Sequence, residues 1–271
     1  MESVFRVDSI IITLFDRIIF PMETKLYLEI LPQPDDTTCG QTCLHAVYRY
    51  LGDSISLQQV VSEVDHLEGG GTLAVHLAYH ALKRGYHATI YTYNLQIFDP
   101  TWFASSDINL VEKLELQMNY KNIPKLQKAS RAYIDFMKQG GQVKFEDLAG
   151  GLIRKYLNRS IPILLGLSAT YLYKSAREFA RGHELIYDDI RGEATGHFVV
   201  LAGYDKDHRK VLIADPAMPN PISSQQQYEV EMDHLISAIM LGIITYDANL
   251  LIIESVKERK RNHHANTHRC Q

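Results

Sequence analysis

Apolar residues recur at intervals of three and four through residues 39–51. Cys43, Ala46, Val47, Tyr50 and Leu51 share one face, and Gly52 ends the run. The spacing predicts a helix whose first residue is Cys39. Upstream, residues 25–31 read as a short strand. The segment between Pro32 and Thr38 holds two prolines and two aspartates, a polar loop that delivers the chain to the cysteine. A second helix is predicted over residues 56–64 with Ser56 as its cap, and a third over residues 72–84. An alternating strand follows at residues 87–93. The glycines at 69–71 lack the lysine and preceding strand of a phosphate loop and read as a flexible connector.

The middle of the chain keeps the helical period. Residues 111–118, 132–137 and 145–157 carry apolar stripes with lysines and glutamates opposite, which predicts a helical segment over about 100–160. The period then changes. Residues 161–167, 196–204, 211–215 and 250–255 are short β-rich runs of the kind found in antiparallel sheets, with one helix over about 233–241 before the last of them. Helices first and strands second, with no internal repeat, predict an α+β fold rather than a repeating βαβ one.

Composition narrows the function classes. Hydrophobic residues make up 46% and charged residues 22% of the 271, enough for a sizeable core. A net charge of −4 gives no basic field to draw nucleic acid or anionic lipid. Three cysteines, Cys39, Cys43 and Cys270, are too few for a disulfide framework and fit a reducing compartment. The apolar run at residues 10–15 is too short to span a bilayer and has no signal-peptide flanks, so the expected location is the cytoplasm. Residues 1–21 read as an extension, with Met22 an alternative start, and residues 22–256 as the folded domain. The basic, histidine-rich residues 257–271 read as a solvated tail rather than a metal site, despite His263, His264 and His268.

The chemistry converges on a thiol. A cysteine at a helix N-terminus has its thiolate stabilised by unpaired N–H groups and the positive end of the helix dipole. Cys39 has that setting; Cys43, one turn further in, reads as a small core hydrophobe. A nucleophilic thiol needs a base, and twelve histidines are available. His197 stands apart because, after Gly196, it opens the most apolar strand in the sequence, Phe198-Val199-Val200-Leu201-Ala202. Asp215 closes the next strand before Pro216. A hairpin turning at residues 205–209 would set it beside His197, where a carboxylate can hold the imidazole; otherwise Asp215 only begins an Asp-Pro turn. Gln33, six residues before Cys39, is the candidate to donate to an oxyanion together with the Cys39 backbone N–H. Gly40, Gly196, Tyr187 and Asp188 are candidate substrate-binding residues. The charged, aromatic stretch over residues 171–195 is a candidate lid or substrate loop.

Leu31-Pro32-Gln33, Thr38-Cys39-Gly40, Gly196-His197-Phe198-Val199-Val200-Leu201 and Ala214-Asp215-Pro216 together resemble the papain-like peptidases that remove double-glycine leaders from bacteriocins. The resemblance covers about residues 28–95 and 160–255. It implies a papain-like fold in which helices carrying the nucleophile pack on a largely antiparallel sheet, here with a helical insertion. It implies Cys39 as nucleophile, His197 as base, Asp215 as its orienter and Gln33 in the oxyanion hole. The sequence shows neither a transmembrane run nor a phosphate loop, so it looks more like stand-alone bacterial relatives that lack the exporter domains. The expected activity is hydrolysis of a peptide or isopeptide bond in a peptide or protein substrate, without cofactor or metal. A transglutaminase-like acyl transfer through the same thiol, and a non-catalytic peptide-binding module, remain open alternatives. The sequence leaves the oligomeric state undetermined.

Overall fold

The structure, a computed structural model, describes residues 24–67, 70–181 and 184–255. The extension at 1–21, Met22, Gly69, Cys270 and the tail at 257–271 lie outside the described residues. The chain begins with a two-residue strand, β1 (Thr24–Lys25), and then three helices, α1 (Cys39–Tyr50), α2 (Leu57–Glu63) and α3 (Ala74–Lys83). Strand β2 (His87–Thr92) leads into α4 (Leu110–Tyr120) and α5 (Pro124–Lys138), then β3 (Gln142–Lys144) and α6 (Gly150–Leu157). The second half runs β4 (Ile163–Ser168), α7 (Ala169–Tyr173), β5 (Glu178–Arg181), β6 (Glu184–Tyr187), β7 (Gly196–Asp205) and β8 (Lys210–Ala214). It closes with β9 (Gln227–Glu231), α8 (Met232–Leu241) and β10 (Asn249–Glu254).

The main sheet has the order β3-β2-β10-β4-β7-β8-β9, with β1 joining β7, and all its pairings are antiparallel except β2 with β3. This is the α+β architecture that the change of period predicts. Every residue of β4 is buried, as are all but the two end residues of β7, so helices cover both faces of the sheet centre. Helix α1 packs on β7 and β4, α3 on β2 and β10, α6 on β7 and β4, and α8 on β4. In the helical segment, α5 buries Leu126, Ala129, Ser130, Tyr133, Ile134 and Phe136, a stripe at helical spacing that docks on α3.

β3 interrupts the segment expected to be helical, α6 begins at Gly150 rather than at residue 145, and three further elements differ from the sequence expectation. The strand over residues 25–31 stops at Lys25, because two more steps along β7 would reach Leu201, whose edge already pairs with Ile163 of β4. The last bond on that edge is Leu26 N–H to the Ala202 carbonyl, 2.7 Å. Leu26 and Leu28 still point inward and Tyr27 outward, so the alternation marks the buried face without a ladder to support it. The second is β9, whose alternating burial follows Tyr228 and Val230 into the core. The third is the β5–β6 hairpin, which lies within the stretch expected to form a lid or substrate loop.

Candidate active site

Cys39 opens α1, a helix buried from Cys39 through Tyr48 and laid against the central strand. No side chain caps this helix, and no acidic residue stands in its first turn. The hydroxyl of Thr38, at the cap position, instead donates to the Asp35 carbonyl (3.2 Å). The positive end of the helix is therefore left for charge that develops at Cys39. The two thiols part company one turn later. Cys43 is fully buried and its Sγ donates to the Phe198 carbonyl on β7 (3.2 Å). Burial, and then the nearby charges of Cys39 and Asp215, push the Cys43 thiol well up, which keeps it protonated and inert.

His197 meets Asp215 through a single irregularity of the sheet. From the hairpin turn, Asp205 pairs with Lys210, Tyr204 with Val211 and Gly203 with Leu212; after a bulge, Leu201 pairs with Ile213 and Val200 with Ala214. Had the first register continued, Asp215 would stand opposite Val200, on the face away from His197. The extra residue shifts it opposite Val199, on the same face as His197 and one diagonal step from it. The result is a bond of 2.8 Å between His197 Nε2 and Asp215 Oδ1, with the histidine 7% and the aspartate 0% exposed.

The carboxylate is held by four donors. Besides His197, the Ala217 N–H reaches Oδ1 (2.9 Å), and the hydroxyls of Tyr173 (2.8 Å) and Tyr228 (2.6 Å) both donate to Oδ2. Burial alone would raise the Asp215 carboxyl, but the charge of His197 and these hydrogen bonds outweigh it and hold it below its ordinary value. For His197, burial favours the neutral ring, yet the Asp215 charge, then the Cys39 thiolate and hydrogen bonds to both, raise it from 6.5 to about 10. The ring is an imidazolium at neutral pH, between a carboxylate on one side and the Cys39 sulfur on the other. Tyr173 and Tyr228 were not part of the sequence-derived site. Tyr228 is signalled by the alternation of β9, whereas Tyr173 falls in the aromatic stretch expected as a lid or substrate loop, with no sign of its bond to Asp215; it also lays its ring beside His197 with centroids 5.9 Å apart.

A folded-state value raised in this way has a defined sign. The stabilisation that His197 contributes is complete below 6.5 and is lost as the pH rises through about 10. The gap in melting temperature between the native chain and His197→Gln is therefore expected to shrink between about pH 7 and about pH 10.5. Differential scanning calorimetry across that range checks it.

Gln33 is anchored to the same corner. Its backbone N–H donates to the Pro216 carbonyl (2.9 Å), tying the loop before Cys39 to the residue after Asp215. Its side-chain nitrogen donates to the Asp35 carbonyl (2.9 Å), which fixes the amide, while Oε1 is buried without a partner. Gly196 has a separate reason to be glycine. A Cβ there would overlap the Asp247 carboxylate and press on the Thr245 hydroxyl. Asp247 is itself buried, and burial pushes its carboxyl up to about 7. Gly196→Ala is expected to destabilise the chain by about 1–3 kcal/mol and to displace His197, lowering turnover at least tenfold. Chemical denaturation and peptide cleavage on the same sample measure both.

A cleft of about 420 Å³ opens beside His197, walled by Gln33 through Asp36, by Glu178, Ile186 and Tyr187 of the hairpin, and by Ala217, Met218, Pro219 and Pro221. Of the candidate substrate-binding residues, Gly196 and Tyr187 line this cleft. Gly40 does not; it packs against Thr72, Leu77 and Phe198, where a side chain has no room. Asp188 folds back on its own loop, accepting from the N–H groups of Ile190 and Arg191 and from the Arg191 guanidinium. No residue of the 100–160 segment lines the cleft. A second hollow of similar size, about 450 Å³, lies at the far end of α1 around Arg49 and Asp53, and no cysteine lines it.

A buried cysteine on a central helix, set against an antiparallel sheet that brings a histidine and a carboxylate together, is the architecture of a papain-like cysteine peptidase. The Peptidase_C39 like family matches over residues 25–236, and the chain belongs to it; it is a cysteine peptidase. Among solved structures it is similar to a double glycine motif protease from an AMS/PCAT transporter in complex with its leader peptide. That match has 15% identity and a TM-score of 0.41, covering 86% of this chain and 96% of the other. It is also similar to the peptidase domain of Streptococcus ComA, a bifunctional ABC transporter, with 14% identity, 84% and 99% coverage and a TM-score of 0.40. Xylellain, a cysteine protease from Xylella fastidiosa, matches at 14% identity, 87% coverage of both chains and a TM-score of 0.39. No curated protein matches the chain. Among the described residues, no helix is long and apolar enough to cross a membrane.

Proposed function

We propose that this chain hydrolyses a peptide or isopeptide amide by acyl transfer to Cys39, with His197 as proton carrier, Asp215 as its orienter and Gln33 as an oxyanion donor. The observation that carries this is the 2.8 Å bond from His197 Nε2 to the fully buried Asp215, which leaves the other ring nitrogen for Cys39. The Cys39 thiolate attacks the carbonyl carbon and forms a C–S bond, and the negative charge moves to the carbonyl oxygen. The Cys39 backbone N–H and the second N–H of the Gln33 amide, the first being spent on Asp35, can receive that charge. The His197 imidazolium gives its proton to the departing amine as the C–N bond breaks. The neutral ring then takes a proton from water, which cleaves the thioester and restores the thiolate–imidazolium pair. Throughout, the four donors on Asp215 keep its charge in place opposite Nε2.

The test is site-selective alkylation. Iodoacetamide at neutral pH is expected to label Cys39 at least about 100-fold faster than the protonated Cys43, with sites and rates read by peptide mass spectrometry. Labelling of both at one slow rate would remove the nucleophile from the proposal.

A further inference from the structure

The cleft beside His197 has a side and a charge. Its lining includes His197 and the Gln33 loop but not Cys39. In the acyl transfer proposed above, His197 protonates the departing amine, so space that opens on His197 rather than on the sulfur holds the leaving half of the substrate. Catalysis fixes where that half lies; the charges decide what it can be. Asp35, Asp36 and Glu178 line the cleft, its one cation is the His197 imidazolium already paired with Asp215, and no lysine or arginine lines it. Among the described residues, these three carboxylates take part in no salt bridge. Two arginines flanking the hairpin are engaged elsewhere: Arg177 donates to the Asp189 carbonyl, and Arg191 pairs with Asp188 and covers the Phe179 ring.

The two acidic walls also face one another. Burial first, and then the charges of Glu178 on the hairpin and Asp36 on the Gln33 loop, push the Tyr187 phenol up. Carboxylates from both walls thus act on one ring that is 58% exposed. A cation placed there is attracted by both carboxylates and can lie along the tyrosine face, whereas an anion is repelled from both sides.

We infer that this cleft binds the segment just after the scissile bond and selects peptides that carry a lysine or arginine side chain there. The inference rests on the acyl-transfer proposal for its assignment of sides. A peptide pool holding Lys, Arg, Asp and Glu in equal proportion, with new N-termini read by mass spectrometry, tests it. Lys and Arg within three residues after the cut are expected to be enriched about tenfold over Asp and Glu, the scale of two partly exposed charge pairs acting together. The double variant Asp36→Lys/Glu178→Lys is expected to reverse the enrichment, and Glu112→Gln on α4 to leave it as it was. In parallel, Cys39→Ala, which cannot turn over, is offered a fluorescent alanine-based hexapeptide with two lysines and its two-glutamate counterpart. Tighter binding of the lysine peptide, lost in the double variant, supports the inference even if the pool is uncut, in which case it is the hydrolase proposal that fails. A pool cut without charge preference, or an uncut pool with equal binding of the two hexapeptides, overturns the inference.

Discussion

Cys39→Ala is expected to lower peptide cleavage by about 10⁴-fold or more with no loss of fold. The size follows from the division of labour: without the sulfur, His197 and Asp215 have no covalent step to assist. Stability changes little because Cys39 lies at the edge of the core, 9% exposed. Cys43→Ala is expected to behave in the opposite way. It removes a fully buried sulfur and its bond to Phe198, costing about 1 kcal/mol of stability, and leaves cleavage within a few-fold. Calorimetry with a fixed peptide assay on both variants separates the nucleophile from its structural neighbour.

Asp215→Ala is expected to cost both activity and fold. Four donors converge on this carboxylate, and three of them, from His197, Tyr173 and Tyr228, come from side chains packed around it. Removing one partner of a buried charged pair costs about 3–5 kcal/mol, a large share of the roughly 5–15 kcal/mol that holds a domain folded. Asp215→Asn keeps the shape and removes the charge, so it loses less stability. The Asp215 charge is the main influence raising His197 to about 10, so in Asp215→Asn the ring is expected to titrate well below that. Histidine NMR titration of the native chain and Asp215→Asn shows the difference.

What the sequence made legible depended on how local the cause was. The helical period placed Cys39 at a helix start and Cys43 one turn inside, because both facts follow from i, i+3 and i+4 spacing alone. The apolar run after Gly196 marked a central strand and so marked His197. The reason for Gly196 itself was hidden, since Asp247 arrives from a loop fifty-one residues away. The partnership of His197 with Asp215 was legible in outcome but not in cause. A simple hairpin from residues 205–209 puts Asp215 on the wrong face, and only the bulge near Ala202 corrects it; a one-residue register shift leaves no periodic trace in sequence. Tyr173 was hidden for the same reason as Gly196, its target lying forty-two residues on, whereas Tyr228 sat in a legible alternation. The strand at residues 25–31 shows the converse: its alternation was correct, and competition from β4 for the β7 edge cut it short.

Acid quenching during turnover, followed by mass spectrometry of the intact and digested protein, shows whether Cys39 carries the acyl group. An adduct equal in mass to the acyl half of the substrate is expected, attached to Cys39 and absent from Cys39→Ala. Cleavage that proceeds with no adduct on Cys39, or that persists in Cys39→Ala, would contradict its role as nucleophile.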